Sequence, residues 1–328
     1  MTRRIRVGID TGGTFTDVVA VDEAGGRVAT SKTPSTPADP SVGFLTGLTK
    51  VLALLGAEAD ALDAVCHGTT VATNALLEEE FAGLGFLTTE GFRHVLEIAR
   101  QSVPDGYGNS YFWVKPDRIV RLDLVREIPE RLDAEGQVVR DLDENAVAEA
   151  ARWFREQGID TLGVSLLHAY ANPDHERRVR DIVAREHPAC SVSISSDVLR
   201  EYREYERAVT TLVDATVKPR VVAYLRGVTD RLADVVHRDL PFWVMKSNGG
   251  VLSASQVVRQ PITTVLSGPA AGALGGAVVA AGAGYQRVLT LDGGGTSTDV
   301  CLLSDAHGSD AHGSDAHGSD AHGSDAHG

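Results

Sequence analysis

The chain is short of cysteine, of aromatic residues and of positive charge, and each shortage removes a class of protein. Its three cysteines, Cys66, Cys190 and Cys301, are too few and too scattered for a disulfide framework or a metal-ligand pattern. Their usage fits a reducing cytosol, and a cytoplasmic location is the expectation. Lysine and arginine total 31 against 45 acidic residues, a formal net charge of −14, which argues against non-specific binding to nucleic acid or anionic membranes. No run approaches the roughly 18 apolar residues of a membrane span. The first ten residues lack the apolar segment and cleavage site of a signal peptide. There is no Gly-x4-Gly-Lys-Ser/Thr loop, no Gly-x-Gly-x-x-Gly between a strand and a helix, no His-Glu-x-x-His and no Gly-x-Ser-x-Gly elbow.

What remains is an ordinary globular composition, 43% hydrophobic and 23% charged. Its 328 residues suggest about two domains. Ile5, Val7 and Ile9 alternate as a strand, which ends in Asp10-Thr11-Gly12-Gly13-Thr14; a second strand follows at Asp17 to Val21, then a turn at Gly25-Gly26. Asp39, Pro40 and Gly56 mark the cap, first residue and stop of a helix whose apolar face carries Leu45, Leu48, Val51, Leu52 and Leu55. A short strand ending at Cys66 leads through His67-Gly68-Thr69-Thr70 into a helix reaching Leu77. Further helices are expected at 142–157, after Asn172-Pro173-Asp174, at 204–236 with a disturbance at Pro219, and from Ser267 to about Gly282. Strands fall at 161–167, 242–246 and 288–291. The alternation indicates an α/β fold.

Residues 304–328 are five perfect copies of Ser-Asp-Ala-His-Gly. With nothing larger than Ala among their aliphatic residues they cannot build a core, and disorder is expected. The regular Asp and His supply invites a metal-binding reading. The perfection of the copies favours a tandem expansion or a sequence artefact over a shaped site.

The strongest chemical signal is internal. Residues 10–18 read DTGGTFTDV and residues 292–300 read DGGGTSTDV, each after an apolar strand. Glycines let a backbone approach phosphate closely, and successive turn amides form an anion nest. Threonine hydroxyls add orientable donors. A carboxylate beside phosphate makes sense with Mg²⁺ between them, usually through water. The expected roles are therefore Asp10 and Asp292 on the catalytic Mg²⁺, with Thr11, Gly12, Gly13, Thr14, Thr16, Gly294, Gly295, Thr296 and Thr298 on the phosphates of ATP. His67, Gly68, Thr69 and Thr70 are weaker candidates: the same turn reads equally as a substrate or phosphate contact and as a helix cap with a satisfied histidine. Arg203, Glu204, Glu206 and Arg207 read as a cleft cluster or, more simply, as a solvated helix face.

These segments together resemble the hydantoinase/oxoprolinase family, in its ATP-binding subunit or N-terminal region. The resemblance runs from about residue 5 to 303 through VGIDTGGTFTDVVAV at 7–21, HGTTVATNALLE at 67–78, GFLTTEGFRHVLEIARQ at 85–101, LLHAYANPDHERR at 166–178, REYERAVTTLVDA at 203–215, SNGG at 247–250, LSGPAAG at 266–272 and LDGGGTSTDV at 291–300. It implies an actin/sugar-kinase-like (ribonuclease H-like) ATPase fold. The expected organisation is an N-terminal region at 1–190 with the first phosphate loop, the start of the core domain at 191–303 with the second, and the repeat at 304–328.

The resemblance also implies an activity. A cyclic amide carbonyl, of 5-oxoproline or hydantoin type, would be activated by ATP-dependent phosphoryl transfer to its oxygen, and a hydantoinase B-type partner subunit or domain would complete ring opening. An ATP-dependent ketone carboxylase subunit is the sister reading, and a non-catalytic fragment of the fold is the third. Complete members continue far beyond the second loop, whereas recognisable sequence here stops near Leu303. Weak ATP binding by this chain alone, and exposed apolar surface along 288–303, are the expectations.

Overall fold

The computed structural model describes residues 3–36, 39–77, 83–100, 119–293 and 298–304. Gly294, Gly295 and Thr296 of the second loop, and the repeat beyond Ser304, lie outside the described residues. Period-2 patterning builds the opening hairpin: β1 (Ile5–Thr11) and β2 (Phe15–Asp22) bury every second residue against the core. β3 (Arg27–Pro34) follows the Gly25-Gly26 turn and pairs antiparallel with β2. The sequence signals that turn but not the strand, because most of its side chains are exposed and carry no apolar alternation.

Helix α1 (Pro40–Leu55) forms as its signals direct. The Asp39 carboxylate accepts the Ser41 N–H at 3.1 Å, and Gly56 closes the helix at φ 61°. Phe44, Leu48, Val51, Leu52 and Leu55 are buried, with Leu45 at the edge of the face. β4 (Leu62–Thr69) lies parallel to β1 and runs three residues past the expected end at Cys66. The extra residues stay in the strand because the pairing with β1 continues through Ile9–His67, Asp10–Gly68 and Thr11–Thr69. α2 (Val71–Leu77) follows directly.

The chain then leaves this sheet to build a second one. β5 (Leu84–Thr89), α3 (Val95–Ile98), β6 (Val125–Ile128), the ribbon β7 (Arg131–Leu132) and β8 (Val138–Arg140), α4 (Glu144–Glu156), β9 (Thr161–Ser165), α5 (Asp174–Glu186), β10 (Ser191–Ile194) and α6 (Ser195–Val198) succeed one another. Their parallel sheet has the order β10-β9-β5-β6. Polar groups staple it: Glu176 is fully buried and accepts hydrogen bonds from the Leu166 and Ser196 amides and the Ser195 hydroxyl.

α7 (Glu204–Val236) carries the chain back as a single helix. Pro219 does not break it. Ala208, Leu212 and Ala215 pack in the core of the inserted sheet, while Val217, Val221 and Leu225 pack in the core of the first sheet. Pro219 sits exposed just where the helix passes between the two, so packing on both sides holds the axis across the missing hydrogen bond. Arg207, read from sequence as a candidate for the solvated face, is 1% exposed and donates to the Leu166 carbonyl at 2.6 Å.

β11 (Phe242–Met245) and β12 (Val251–Ser253) complete the first sheet in the order β12-β11-β4-β1-β2-β3. β11, β4 and β1 are parallel to one another, with β2 and β3 antiparallel beyond them. This is the mixed sheet of the actin-like ATPase fold. After α8 (Ala254–Val257), α9 (Ser267–Gly282) leads to the hairpin β13 (Arg287–Gly293) and β14 (Thr298–Ser304). Thr290 packs on Gly276 of α9, while Leu289, Leu291, Val300 and Leu302 expose one apolar face, Leu302 to 75%.

A Cβ on Gly85 in β5 would stand 2.5 Å from a ring carbon of Phe154 and 2.6 Å from a methyl of Leu162. Gly85→Ala is therefore expected to destabilise the chain by about 1–3 kcal/mol. Gly8→Ala, on a strand with nothing within 4 Å of the new methyl, should stay within about 0.5 kcal/mol of the parent. Urea unfolding of both variants checks the contrast.

Candidate functional site

The two hairpins close in the same register. Asp10 pairs with Asp17 and Thr11 with Thr16 in the first; Asp292 pairs with Asp299 and Gly293 with Thr298 in the second. Matching residues at the strand ends thus pair in matching register. In the first loop the Gly12 amide donates to the Phe15 carbonyl at 3.0 Å, and the Ser35 hydroxyl donates to the Gly12 carbonyl at 2.7 Å. Thr16 is buried and bonded to the Ser35 hydroxyl, so it braces the loop from behind, whereas Gly13 and Thr14 are exposed at its tip. Thr298 is exposed on β14.

Asp10 and Asp292 approach closely enough to interact. The pKa of Asp10 is raised, first by desolvation in its crowded setting and then by repulsion from Asp17 and Asp292, with Lys32 acting in the opposite sense. Its carboxylate nevertheless keeps access to solvent. Gly68 makes the approach on the other side possible: a Cβ there would stand 2.9 Å from Asp10 Oδ1. Two carboxylates with open space beside them suit a hydrated divalent cation such as Mg²⁺, which keeps several waters and takes one or two carboxylates with phosphate oxygens.

His67 does not share that solvent-facing position. It is fully buried, with Nδ1 3.1 Å from the Ile9 carbonyl and Nε2 2.8 Å from the Tyr224 hydroxyl. A carbonyl only accepts, so Nδ1 carries the proton and Nε2 accepts from tyrosine. Phe44 packs edge-on against the ring. Thr69 is likewise buried, its hydroxyl accepting the Val71 amide as a cap to α2, and Thr70 donates its amide to the Thr11 carbonyl.

A cleft of about 570 Å³ opens between the first loop and α7. Thr11, Gly12 and Gly13 form one wall, Thr70, Val71 and Asn74 a second, and Ala223, Tyr224 and Gly227 a third. The structure thus brings Thr11, Gly12, Gly13 and Thr70 together on this cleft. Sequence reasoning missed Tyr224. The only available hint was the placement of a tyrosine in the predicted long helix, and the helix is buried on too many sides to show one functional face.

Burial pulls the His67 pKa from its ordinary value to about 4, against the weaker support of the Ile9 carbonyl. The unfolded chain therefore binds a proton that the folded chain refuses between about pH 6.5 and 4. The stability His67 contributes is fully present above pH 6.5 and is lost as pH falls through that window, amounting to about 3 kcal/mol. Urea unfolding at pH 7.5 and 4.5 should show a larger acid loss for the parent than for His67→Gln, and equal losses would refute the assignment.

Comparison with known proteins accounts for this architecture. The family model for the hydantoinase/oxoprolinase N-terminal region matches residues 6–187, and that for hydantoinase/oxoprolinase matches residues 207–313. The chain is 34% identical over 304 residues to the caprolactamase alpha subunit of Pseudomonas jessenii, covering 92% of this chain and 43% of that one. It is 33% identical over 316 residues to the acetophenone carboxylase gamma subunit of Aromatoleum aromaticum, covering 92% and 42%. A nucleotide-free acetone carboxylase structure, from work on ATP-dependent acetone carboxylation, superposes with a TM-score of 0.84 at 27% identity, over 93% of this chain and 44% of that one. The chain thus spans less than half the length of these relatives, two of which are named as subunits. With one model matching more than half of its residues and the second most of the remainder, the chain belongs to the hydantoinase/oxoprolinase family.

Proposed function

We propose that this chain supplies the ATP-facing part of an enzyme that activates a cyclic amide carbonyl, of the 5-oxoproline or hydantoin type, by phosphoryl transfer for ring opening. The observation that carries the reading is the convergence of Asp10 and Asp292 from two hairpins of equal register. Asp10 and Asp292 would hold Mg²⁺ through water. Bound Mg²⁺ would neutralise phosphate charge and help align the transferred group.

The chain's own residues have distinct tasks. Gly13 and Thr14 present backbone and hydroxyl groups to phosphate, Gly12 lets the backbone approach closely while its own amide closes the turn on Phe15, and Thr16 with Ser35 keeps that loop in shape. Thr11 and Thr70 face the adjoining cleft. Thr298 with Gly294, Gly295 and Thr296 would do the equivalent work on the second hairpin. Phosphoryl transfer needs positioning and charge stabilisation more than covalent help, which suits a site of loops and carboxylates. An amide oxygen becomes a good leaving group once phosphorylated, and a hydantoinase B-type partner subunit would then complete hydrolysis. The superposition on acetone carboxylase favours a second reading, in which the activated carbonyl is a ketone and the partner completes carboxylation.

Calorimetric titration with Mg·ATP tests the core of the proposal. Asp10→Asn and Asp292→Asn are each expected to weaken Mg·ATP binding by about tenfold or more, with little effect on ATP in excess EDTA. Equal binding by parent and variants would end the assignment. With the partner subunit added, ADP release should respond to hydantoin or 5-oxoproline; release that requires a ketone and bicarbonate would move the chain to the carboxylase reading.

A further inference from the structure

Asp10 and Asp292 stand on strands of different sheets, so strand pairing does not set the distance between them. Helix α9 packs on both sides, against β4 and β11 of the first sheet and against the hairpin of β13 and β14. Its start is fastened to the first lobe. Ser267 is fully buried, and its hydroxyl donates to the Thr69 carbonyl at 3.1 Å. The Leu266 amide donates to Thr73 Oγ1 on α2 at 2.9 Å. Leu266 takes φ 59° there, a left-handed conformation that leucine adopts reluctantly, while its side chain is exposed. The bond to Thr73 therefore holds the turn more than packing of the leucine does.

From that anchor α9 carries Gly268, Gly272 and Gly276, four residues apart and so above one another on one face. A Cβ on Gly268 would lie 3.7 Å from the Thr70 methyl, and Thr70 donates its amide to the Thr11 carbonyl next to Asp10. One turn on, a Cβ on Gly272 would lie 4.0 Å from Asp292 Oδ2. A further turn on, a Cβ on Gly276 would lie 2.6 Å from the Thr290 methyl, closer than two carbon atoms approach. The contacts thus run in order from the first loop's lobe to the second carboxylate and then to β13, which carries it. At Gly276 the strand rests on the helix backbone, whereas Gly272 is exposed beside the exposed Asp292.

We propose that α9 is the spacer that sets the gap between Asp10 and Asp292, with Thr73 and Gly276 as positioning residues for a divalent cation held between those carboxylates. The proposal rests on the metal assignment made above, and adds what fixes its geometry. Thr73 holds the near end of the helix, and Gly276 sets how closely β13 is seated at the far end. A methyl at 276 must lift β13 or turn Thr290 aside, and Asp292 follows two residues later on the same face of the strand. Mg²⁺ demands near-ideal octahedral geometry and keeps most of its waters, so a carboxylate displaced by a fraction of its reach loses its place in that shell.

The test uses the full chain and Mn²⁺ alone as probe, followed by the electron paramagnetic resonance of the free ion; the site in question is the binding that Asp292→Asn removes. Gly276→Ala is expected to weaken that site by about tenfold. Adding Thr290→Ser, which removes the opposing methyl and keeps the hydroxyl that bonds the Cys301 carbonyl, should restore affinity to within about twofold of the parent. Thr73→Val, of nearly the same shape but without the acceptor, should weaken the site likewise, and Thr73→Ser should restore it. In an Asp292→Asn background neither substitution should change the Mn²⁺ binding that remains, which a general loss of structure would not reproduce. Unchanged affinity in Thr73→Val and Gly276→Ala, equal losses with and without Asp292, or no rescue by Thr290→Ser and Thr73→Ser would each overturn the proposal. A parallel Mg·ATP titration separates the two readings. An Mn²⁺ site that responds as expected in a chain that binds no Mg·ATP would remove the ATP-dependent function and leave the spacer. Mg·ATP binding that Asp292→Asn weakens and the α9 variants leave unchanged would remove the spacer alone.

Discussion

The buried imidazole of His67 joins the three elements on which the site depends. It sits on β4, donates to the carbonyl of the last apolar residue of β1, Ile9, and accepts a hydrogen bond from the Tyr224 hydroxyl on α7. Ile9 immediately precedes Asp10, so the bond fixes the strand end from which the first glycine-rich loop departs. An imidazole removed from water is tolerated only when both nitrogens are satisfied, and here each has one partner of fixed polarity. The neutral form is enforced by burial, with Phe44 and Phe242 flanking the ring. Position and protonation state are thus one constraint.

α7 transmits that constraint across the molecule. Its first half belongs to the core of the inserted sheet and its second half to the core that holds His67. Arg207 and Glu176 reinforce the first half. Both are withdrawn from water, and Leu166 serves both: its amide donates to Glu176 and its carbonyl accepts from Arg207. Residues that stand out in the sequence as charged motif positions are therefore, in this structure, internal staples of the inserted unit. Their geometry supports placement of the unit beside the loop lobe rather than chemistry at the cleft.

The sequence was most legible where local rules and tertiary demands coincide. Asp39, Pro40 and Gly56 delimit α1 because capping is settled within a few residues, and the paired DTGGTFTDV and DGGGTSTDV segments share strand-end register because it follows from their shared pattern. It was least legible where a partner distant in sequence decides. Nothing near His67 reveals that β1 will keep β4 extended to Thr69, and Tyr224 lies 157 residues from the histidine it bonds. Arg207 carries the same lesson with the opposite sign. Its neighbours Glu204 and Glu206 are charged, but only the fold shows that the guanidinium turns inward to a carbonyl while Glu206 meets Arg100 near the surface.

Charge is also unevenly divided around the first loop. Asp10, Asp17 and Asp292 gather on one side, where their repulsion adds to desolvation in raising the Asp10 pKa and Lys32 opposes it. On the other side, Thr11 and Tyr224 border a cleft whose wall carries Asp39 and Arg220 beside the small or apolar Val71, Ala223 and Gly227. The boundary between these regions is the glycine-rich turn itself, which has almost no side-chain bulk to separate them. Such a partition keeps its shape only while the turn is held still. The Ser35 hydroxyl on Gly12 and the His67 bond to Ile9 hold its two ends, which is why the inner packing of β4 and α7 belongs to the chemistry of the loop as much as the loop's own residues do.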